Sequence, residues 1–124
     1  MDQDSDQAQD FVALEDWLND GVPVAGLVAR ACISEWYDRN ATVRGEWCIN
    51  GDVVDPSRIT VPTLVASPSA DRLVKPASAR ALGAVIPGAE MIETPSGHIG
   101  MVVGNRAPHG LWEPLRSWFA DKLG

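Results

Sequence analysis

The stretch that decides the fold runs from residue 59 to residue 100: ITVPTLVASPSADRLVKPASARALGAVIPGAEMIETPSGHIG. It opens on a β-prone run, Ile59 to Ser67, nearly continuous in apolar character and suited to a strand of a parallel sheet covered on both faces. Pro62 belongs near the start of that strand, where a missing N–H is tolerated. A turn from Pro68 to Pro76 leads into a helix, Ala77 to Ile86, with Ala81, Leu82 and Val85 on one side. Pro87-Gly88 stops it. Ala89 to Thr94 reads as a second strand. A helix between two strands makes them parallel, joined by a right-handed crossover. The fold class is therefore α/β.

Downstream, a last helix is predicted over Ala107 to Leu123, carrying Leu111, Trp112, Leu115, Trp118 and Phe119. Trp112 and Trp118 read as packing residues, since tryptophan at helical spacing is usually core. Pro114 either kinks this helix or starts its regular part. Upstream, residues 1–10 read as a solvated tail. Phe11, Leu14, Trp17 and Leu18 then recur at helical spacing. Gly21 suits a left-handed cap for that helix. A second helix is expected over residues 23–38, with Pro23 in its first turn and Asn40 at its end. Residues 46–54 alternate around Asn50-Gly51, a strong hairpin signal because both residues tolerate positive φ. The expected organisation is an acidic tail, helices and hairpin over residues 1–57, then an α/β unit over residues 58–124.

The totals bound what such a chain does. Its 124 residues are one domain's worth, and the 45% hydrophobic share suits a folded globular protein. A formal net charge of −7 argues against non-specific nucleic-acid binding, which needs Lys and Arg on phosphates. It also makes an anionic membrane a poor partner. No apolar run is long enough to span a bilayer. The polar start MDQDSDQAQD is not a secretory signal, so a cytoplasmic location is expected, with Cys32 and Cys48 as reduced thiols. Two histidines without clustered ligands imply no metal site, and no glycine-rich phosphate loop implies a nucleotide cofactor.

In parallel α/β sheets the ligand site lies beyond the carboxyl ends of the strands. Asp71 follows the first strand there and His98 follows the second. An aspartate fixes the tautomer of such a histidine and leaves its other nitrogen free as a base. Gly97 and Gly100 let the backbone turn around His98. The plainer alternatives are a turn aspartate bonding its local backbone and a histidine on a surface turn. His109 is a further titrating group, with a surface or capping role as its alternative. In α/β-hydrolases the order is nucleophile, acid, histidine. The nucleophile elbow, Gly-x-Ser-x-Gly or its Cys form, is not found in these 124 residues. Ser67, Ser69 and Cys48 are only nominal candidates for that role.

Here a resemblance becomes specific. ALEDWLNDGVPVAG (13–26), EWYDRNA (35–41), NGDVVDPSRITVPTLVAS (50–67), DRLVKP (71–76) and PSGHIGMV (95–102) resemble the C-terminal part of the polyhydroxyalkanoate synthases. These are α/β-hydrolase-fold enzymes with a cysteine nucleophile. Asp71 stands in the family's Asp-x-Ile-Val-Pro segment, with Leu73 in place of Ile and Lys75 before Pro76. His98 stands in its Ser-Gly-His-Ile segment. The resemblance implies a partial α/β-hydrolase fold preceded by a cap over residues 10–57, and a 3-hydroxyacyl-CoA substrate. It implies that His98 deprotonates a cysteine supplied from elsewhere. Asp71 then supports His98 or helps activate the incoming hydroxyl. Arg72, Lys75 and Arg106 are the basic residues available to coenzyme A phosphates. The unpaired sheet edge near residues 62–67 predicts a homodimer or a synthase partner, with polymer granules as a further place of association.

Overall fold

The computed structural model describes residues 5–124, which fall into two compact units dividing after Val53. The tail reading for residues 1–4 lies outside the described residues.

In the first unit, helix α1 spans Asp6–Asn19. It starts earlier than the apolar spacing predicts because Ser5 caps it, its hydroxyl accepting from the Ala8 N–H. Residues 6–10 are thus helix rather than tail. At its far end the N–H of Asp20 bonds back to Asp16, and Gly21 is not in the left-handed region as expected. Pro23 also lies outside a helix: α2 is short, Gly26–Ala31, and continues as a π-helical stretch over Cys32–Asp38. Asn40 ends it at φ 48°. Around the fully buried Ala41 the chain closes on itself, with Ala41 N–H on Glu35 O at 2.7 Å and Glu46 N–H on Ala41 O at 2.9 Å. Trp36 and Trp47 meet edge-to-face at 5.2 Å beside this turn. Strands β1 (Cys48–Ile49) and β2 (Asp52–Val53) form the antiparallel hairpin that Asn50-Gly51 predicts, with φ values of 52° and 90°. Much of the apolar stripe of α1 is uncovered in this unit, including Phe11 and Trp17.

The second unit carries strand β3 (Leu64–Pro68), helix α3 (Pro76–Val85), strand β4 (Glu90–Thr94), the short helix α4 (Gly100–Val103), a π-helical segment Pro108–Trp112 and helix α5 (Glu113–Leu123). A 3-10 turn, Pro56–Arg58, precedes them, with Asp55 capping the Ser57 N–H. β3 and β4 are parallel, as the strand–helix–strand order requires, with Leu64 opposite Glu90 and Pro68 opposite Thr94. The chain is therefore mixed helix and strand, with one small parallel and one small antiparallel sheet.

Three expectations change here. β3 is half-buried for most of its length, because no strand pairs with its other edge among the described residues. Leu82 and Val85 face outward from α3, each about half exposed. The covered face is instead Pro76, Ala79, Gly83 and Ile86, since Gly83 lets Met91 of β4 approach where a Cβ would meet its sulfur at 2.8 Å. The last helix is broken at Pro114, which sits in the first turn of α5 after the π-helical segment. That segment is anchored by the buried Ala107 and Leu111, while Trp112 is 52% exposed and does not pack as core. Trp118 ties α5 to the start of β4 through its indole N–H on Glu90 Oε1 at 3.0 Å, and Lys122 reaches the same oxygen at 2.9 Å.

Candidate active site

The carboxyl ends of β3 and β4 each run into a loop, and backbone bonds lace the two loops together. The Thr94 carbonyl accepts from the N–H of Ser69 at 2.9 Å, from its hydroxyl at 3.2 Å and from the Ser96 N–H at 2.8 Å. The Ala70 N–H donates to Ser96 O at 3.1 Å. These bonds set Asp71 across from His98. Parallel pairing is the cause: it brings two successive loops out at the same end of the sheet.

Asp71 accepts the Leu73 and Val74 N–H groups on Oδ1, at 2.8 and 2.9 Å, and faces His98 Nδ1 with Oδ2 at 2.8 Å. An ionised carboxylate only accepts, so Nδ1 carries the hydrogen and Nε2 is left with its lone pair. Nε2 has no hydrogen-bond partner among the described residues. The Asp71 side chain is 3% exposed, whereas that of His98 is 42% exposed. Burial pushes the Asp71 carboxyl up. Hydrogen bonds from His98, Val74 and Leu73, with the charge of His98, more than offset this and hold it below the usual carboxylate value. Asp71 thus bonds its local backbone, as the plainer reading has it, and grips His98 at the same time. The site is an acceptor-side imidazole, oriented by a buried carboxylate and open to solvent.

The other candidates lie elsewhere. His109 pairs with Glu113 one turn along, Nδ1 to Oε2 at 3.0 Å, on a fully solvated face. Its hydrogen bond with Glu113 raises its pKa above the ordinary value. Ser67 is buried, and the hydroxyl of Ser69 is spent on Thr94 O. Cys48 lies in the hairpin of the other unit, its thiol turned to Glu46 O at 3.5 Å. Cys32 is half-buried and Cys48 exposed, and both are free thiols. None of Ser67, Ser69 and Cys48 is hydrogen-bonded to His98. Arg106 donates to Pro95 O at 3.4 Å, next to the His98 loop, while Arg72 and Lys75 have no ion pair among the described residues. No group of three or more His, Cys, Asp or Glu among them is placed to hold a metal ion. No helix among them is long and apolar enough to cross a membrane. The lacing of the loops by Ser69 and Thr94 leaves little trace in the sequence beyond a serine two residues before Asp71.

A parallel strand pair with a carboxylate-held histidine beyond its carboxyl ends is compatible with an α/β fold, a class whose ligand sites lie at that end of the strands. The particular relatives are the poly(3-hydroxyalkanoate) polymerase subunits PhaC. The chain is 31% identical to that of Haloferax mediterranei over 116 residues, 92% of this chain and 24% of that protein. It is 31% identical to that of Synechocystis sp. over 90% of this chain and 30% of that protein. It is 30% identical to that of Allochromatium vinosum over 96% of this chain and 34% of that protein. The resemblance to the polyhydroxyalkanoate synthases thus extends over nearly the whole chain, which spans about a quarter to a third of the length of these relatives. No family model and no solved structure matches it.

Proposed function

We propose that this chain supplies the Asp–His half of a cysteine-dependent polyhydroxyalkanoate synthase, as the C-terminal part of an α/β-hydrolase catalytic domain. The observation that carries this reading is the 2.8 Å bond from His98 Nδ1 to Asp71 Oδ2 at the carboxyl ends of adjacent parallel strands. Residues 1–57 are then the tail, cap and hairpin, and residues 58–124 the core. The nucleophile is a cysteine on a Gly-x-Cys-x-Gly elbow outside these 124 residues.

In this mechanism His98 Nε2 takes the thiol proton of that cysteine. The thiolate attacks the thioester carbonyl of a 3-hydroxyacyl-CoA. The carbon–sulfur bond to coenzyme A breaks, and the departing thiolate takes the proton back from the imidazolium. In elongation His98 next takes the proton of an acyl hydroxyl, whose oxygen attacks the enzyme-bound thioester; the ester bond forms, the carbon–sulfur bond to the cysteine breaks, and the departing thiolate takes the proton back from the imidazolium. Asp71 fits the role of holding His98 better than that of a second base. Its Oδ1 is occupied by two N–H groups, its Oδ2 by His98, and its carboxyl is held below the usual range. Such a weak base is poorly matched to abstracting a hydroxyl proton near neutral pH. A cytoplasmic place of action, at the polymer granule, goes with this reading.

The test is complementation. The chain is mixed with a polypeptide carrying the elbow-bearing part of a synthase, and coenzyme A release from 3-hydroxybutyryl-CoA is followed. Activity should appear only in the mixture and vanish with His98→Ala. Full activity with His98→Ala would overturn the mechanism.

A second reading, a non-catalytic interaction module, draws on the uncovered edge of β3. Thr63 O and Ser69 N–H point to β4, so by alternation residues 62, 64, 66 and 68 point outward. Two of these four are prolines, leaving only the Leu64 and Ala66 N–H groups to be paired. Val61 and Leu73, 65% and 76% exposed, flank the strand. On this reading the chain forms a homodimer or binds a synthase. Sedimentation showing a monomer from micromolar to millimolar concentration would remove the homodimer.

A further inference from the structure

His98 sits at the entry of α4, and the carbonyls of both its neighbours, Gly97 and Ile99, are tied to that helix. Gly97 O accepts from Met101 N–H at 3.0 Å, and Ile99 O accepts from the N–H groups of Val102 and Val103 at 2.9 and 3.1 Å. A helix of four residues has no stability of its own, and Val102 and Val103 are about half exposed, so packing does little to fix it. What reaches it from outside is the indole of Trp112, whose Nε1–H donates to Val102 O at 3.0 Å. Trp112 closes the π-helical segment. Two buried residues, Ala107 and Leu111, pin that stretch, and Gly110 lies against Thr94 at the end of β4. The wide π turn matters, since each residue in it adds less rotation than in an α-helix and so redirects the side chain at its end.

We propose that Trp112 is a positioning residue for His98, acting through α4. The anchored segment holds the indole, the indole holds the outer carbonyl of α4, and α4 holds the carbonyls of Gly97 and Ile99, the residues on either side of His98. The imidazole is thereby kept at bonding distance from Asp71. The catalytic consequence rests on the synthase reading; the positioning itself does not.

The test uses Trp112→Phe, which keeps an aromatic ring and removes the N–H. The readout is the Nδ1 proton of His98 in the isolated chain, seen by NMR and assigned by its loss in His98→Gln. Its exchange with water should speed up about tenfold or more, as expected when a hydrogen bond worth about 1.4 kcal/mol is lost. Ile86→Ala serves as the comparator, because it loosens the buried core of the same unit and leaves the indole N–H and the residues that anchor it intact. Exchange unchanged within twofold in Trp112→Phe would overturn the proposal. So would an equal acceleration in Ile86→Ala, since general loosening would then explain it. In the complemented synthase, Trp112→Phe should lower kcat with KM unchanged, the signature of lost orientation. A complemented enzyme indifferent to His98→Ala would sink the synthase mechanism while leaving the exchange result, and with it the positioning, standing.

Discussion

Thr94 carries the most exposed contradiction in the chain, in the energetic sense. It is 1% exposed, and its hydroxyl has no hydrogen-bond partner among the described residues. Its carbonyl, by contrast, is the hub that laces the Asp71 and His98 loops. Thr94→Val separates the two. It replaces the hydroxyl by a methyl of nearly equal volume, keeps the β-branched shape that suits a strand, and leaves the carbonyl alone. Gly110 lies alongside without a side chain, and even a Cβ added there would stay 4.0 Å from Thr94 Cβ, an ordinary contact. An orphaned buried hydroxyl costs about 1–3 kcal/mol. Removing it should stabilise the chain by about 1 kcal/mol after discounting for relaxation. In urea, with a slope of about 1–3 kcal/mol per molar, the midpoint should rise by roughly 0.3–1 M with the slope unchanged. The His98–Asp71 bond should persist, seen as an unaltered Nδ1 proton. A Val variant less stable by 1 kcal/mol or more would refute the reasoning, because it would show the hydroxyl to be well partnered, as by a buried water.

Asp71→Asn keeps an acceptor for Leu73 and Val74 and turns an amide toward His98, which forces the hydrogen onto Nε2. In the complemented enzyme kcat should fall by about three to four orders of magnitude, while circular dichroism of the isolated chain stays native. Asp71 and Glu90 both titrate below their ordinary values of 3.8 and 4.5 in the folded chain, Asp71 by the bonds described and Glu90 chiefly through Lys122 and then Trp118. Their contribution is therefore full above those ordinary values and is lost as pH falls through the lowered ones. The melting temperature should drop on acidification below about pH 4, and Glu90→Gln should flatten that limb. His109 is shifted the other way by Glu113, above 6.5. Its contribution is full below 6.5 and lost as pH rises through the raised value, so His109→Ala should differ from the parent in melting temperature at pH 5 and not at pH 9.

The α/β core was legible because its signals are local and periodic. An apolar run, a Pro-Gly stop and a second run dictate two strands and a helix, and the crossover rule makes them parallel. The hairpin was legible for a similar reason, since Asn50 and Gly51 are the residues that accept positive φ. Asp71 and His98 followed from topology, which places the residues after successive parallel strands side by side. What stayed hidden depends on contacts rather than on spacing. The covered face of α3 is chosen by Met91 entering the gap at Gly83, and a glycine has no apolar signal to count. Trp112 reads as core by spacing, yet the π-helical turn before it redirects the ring and gives the indole N–H a carbonyl to hold. Pro23 and Gly21 carry end signals that several local conformations satisfy equally.

Among the described residues, the bonds that hold the dyad lie within residues 54–124. These bonds come from β3, β4, their two loops and α4, with the Trp112 indole behind that helix: Ser69 and Ala70 on one side, Thr94 and Ser96 on the other, Leu73 and Val74 beneath the carboxylate. An acid–base pair assembled this way exists before any nucleophile arrives, because both carboxylate oxygens of Asp71 and Nδ1 of His98 already have partners, and Nε2 is the ring nitrogen left open. Complementation should then need only docking. The rate at which activity appears on mixing should rise in proportion to the concentration of the elbow-bearing polypeptide held in excess. A slow phase independent of that concentration would mean that the pair is rebuilt on binding, and the dyad would not be preformed.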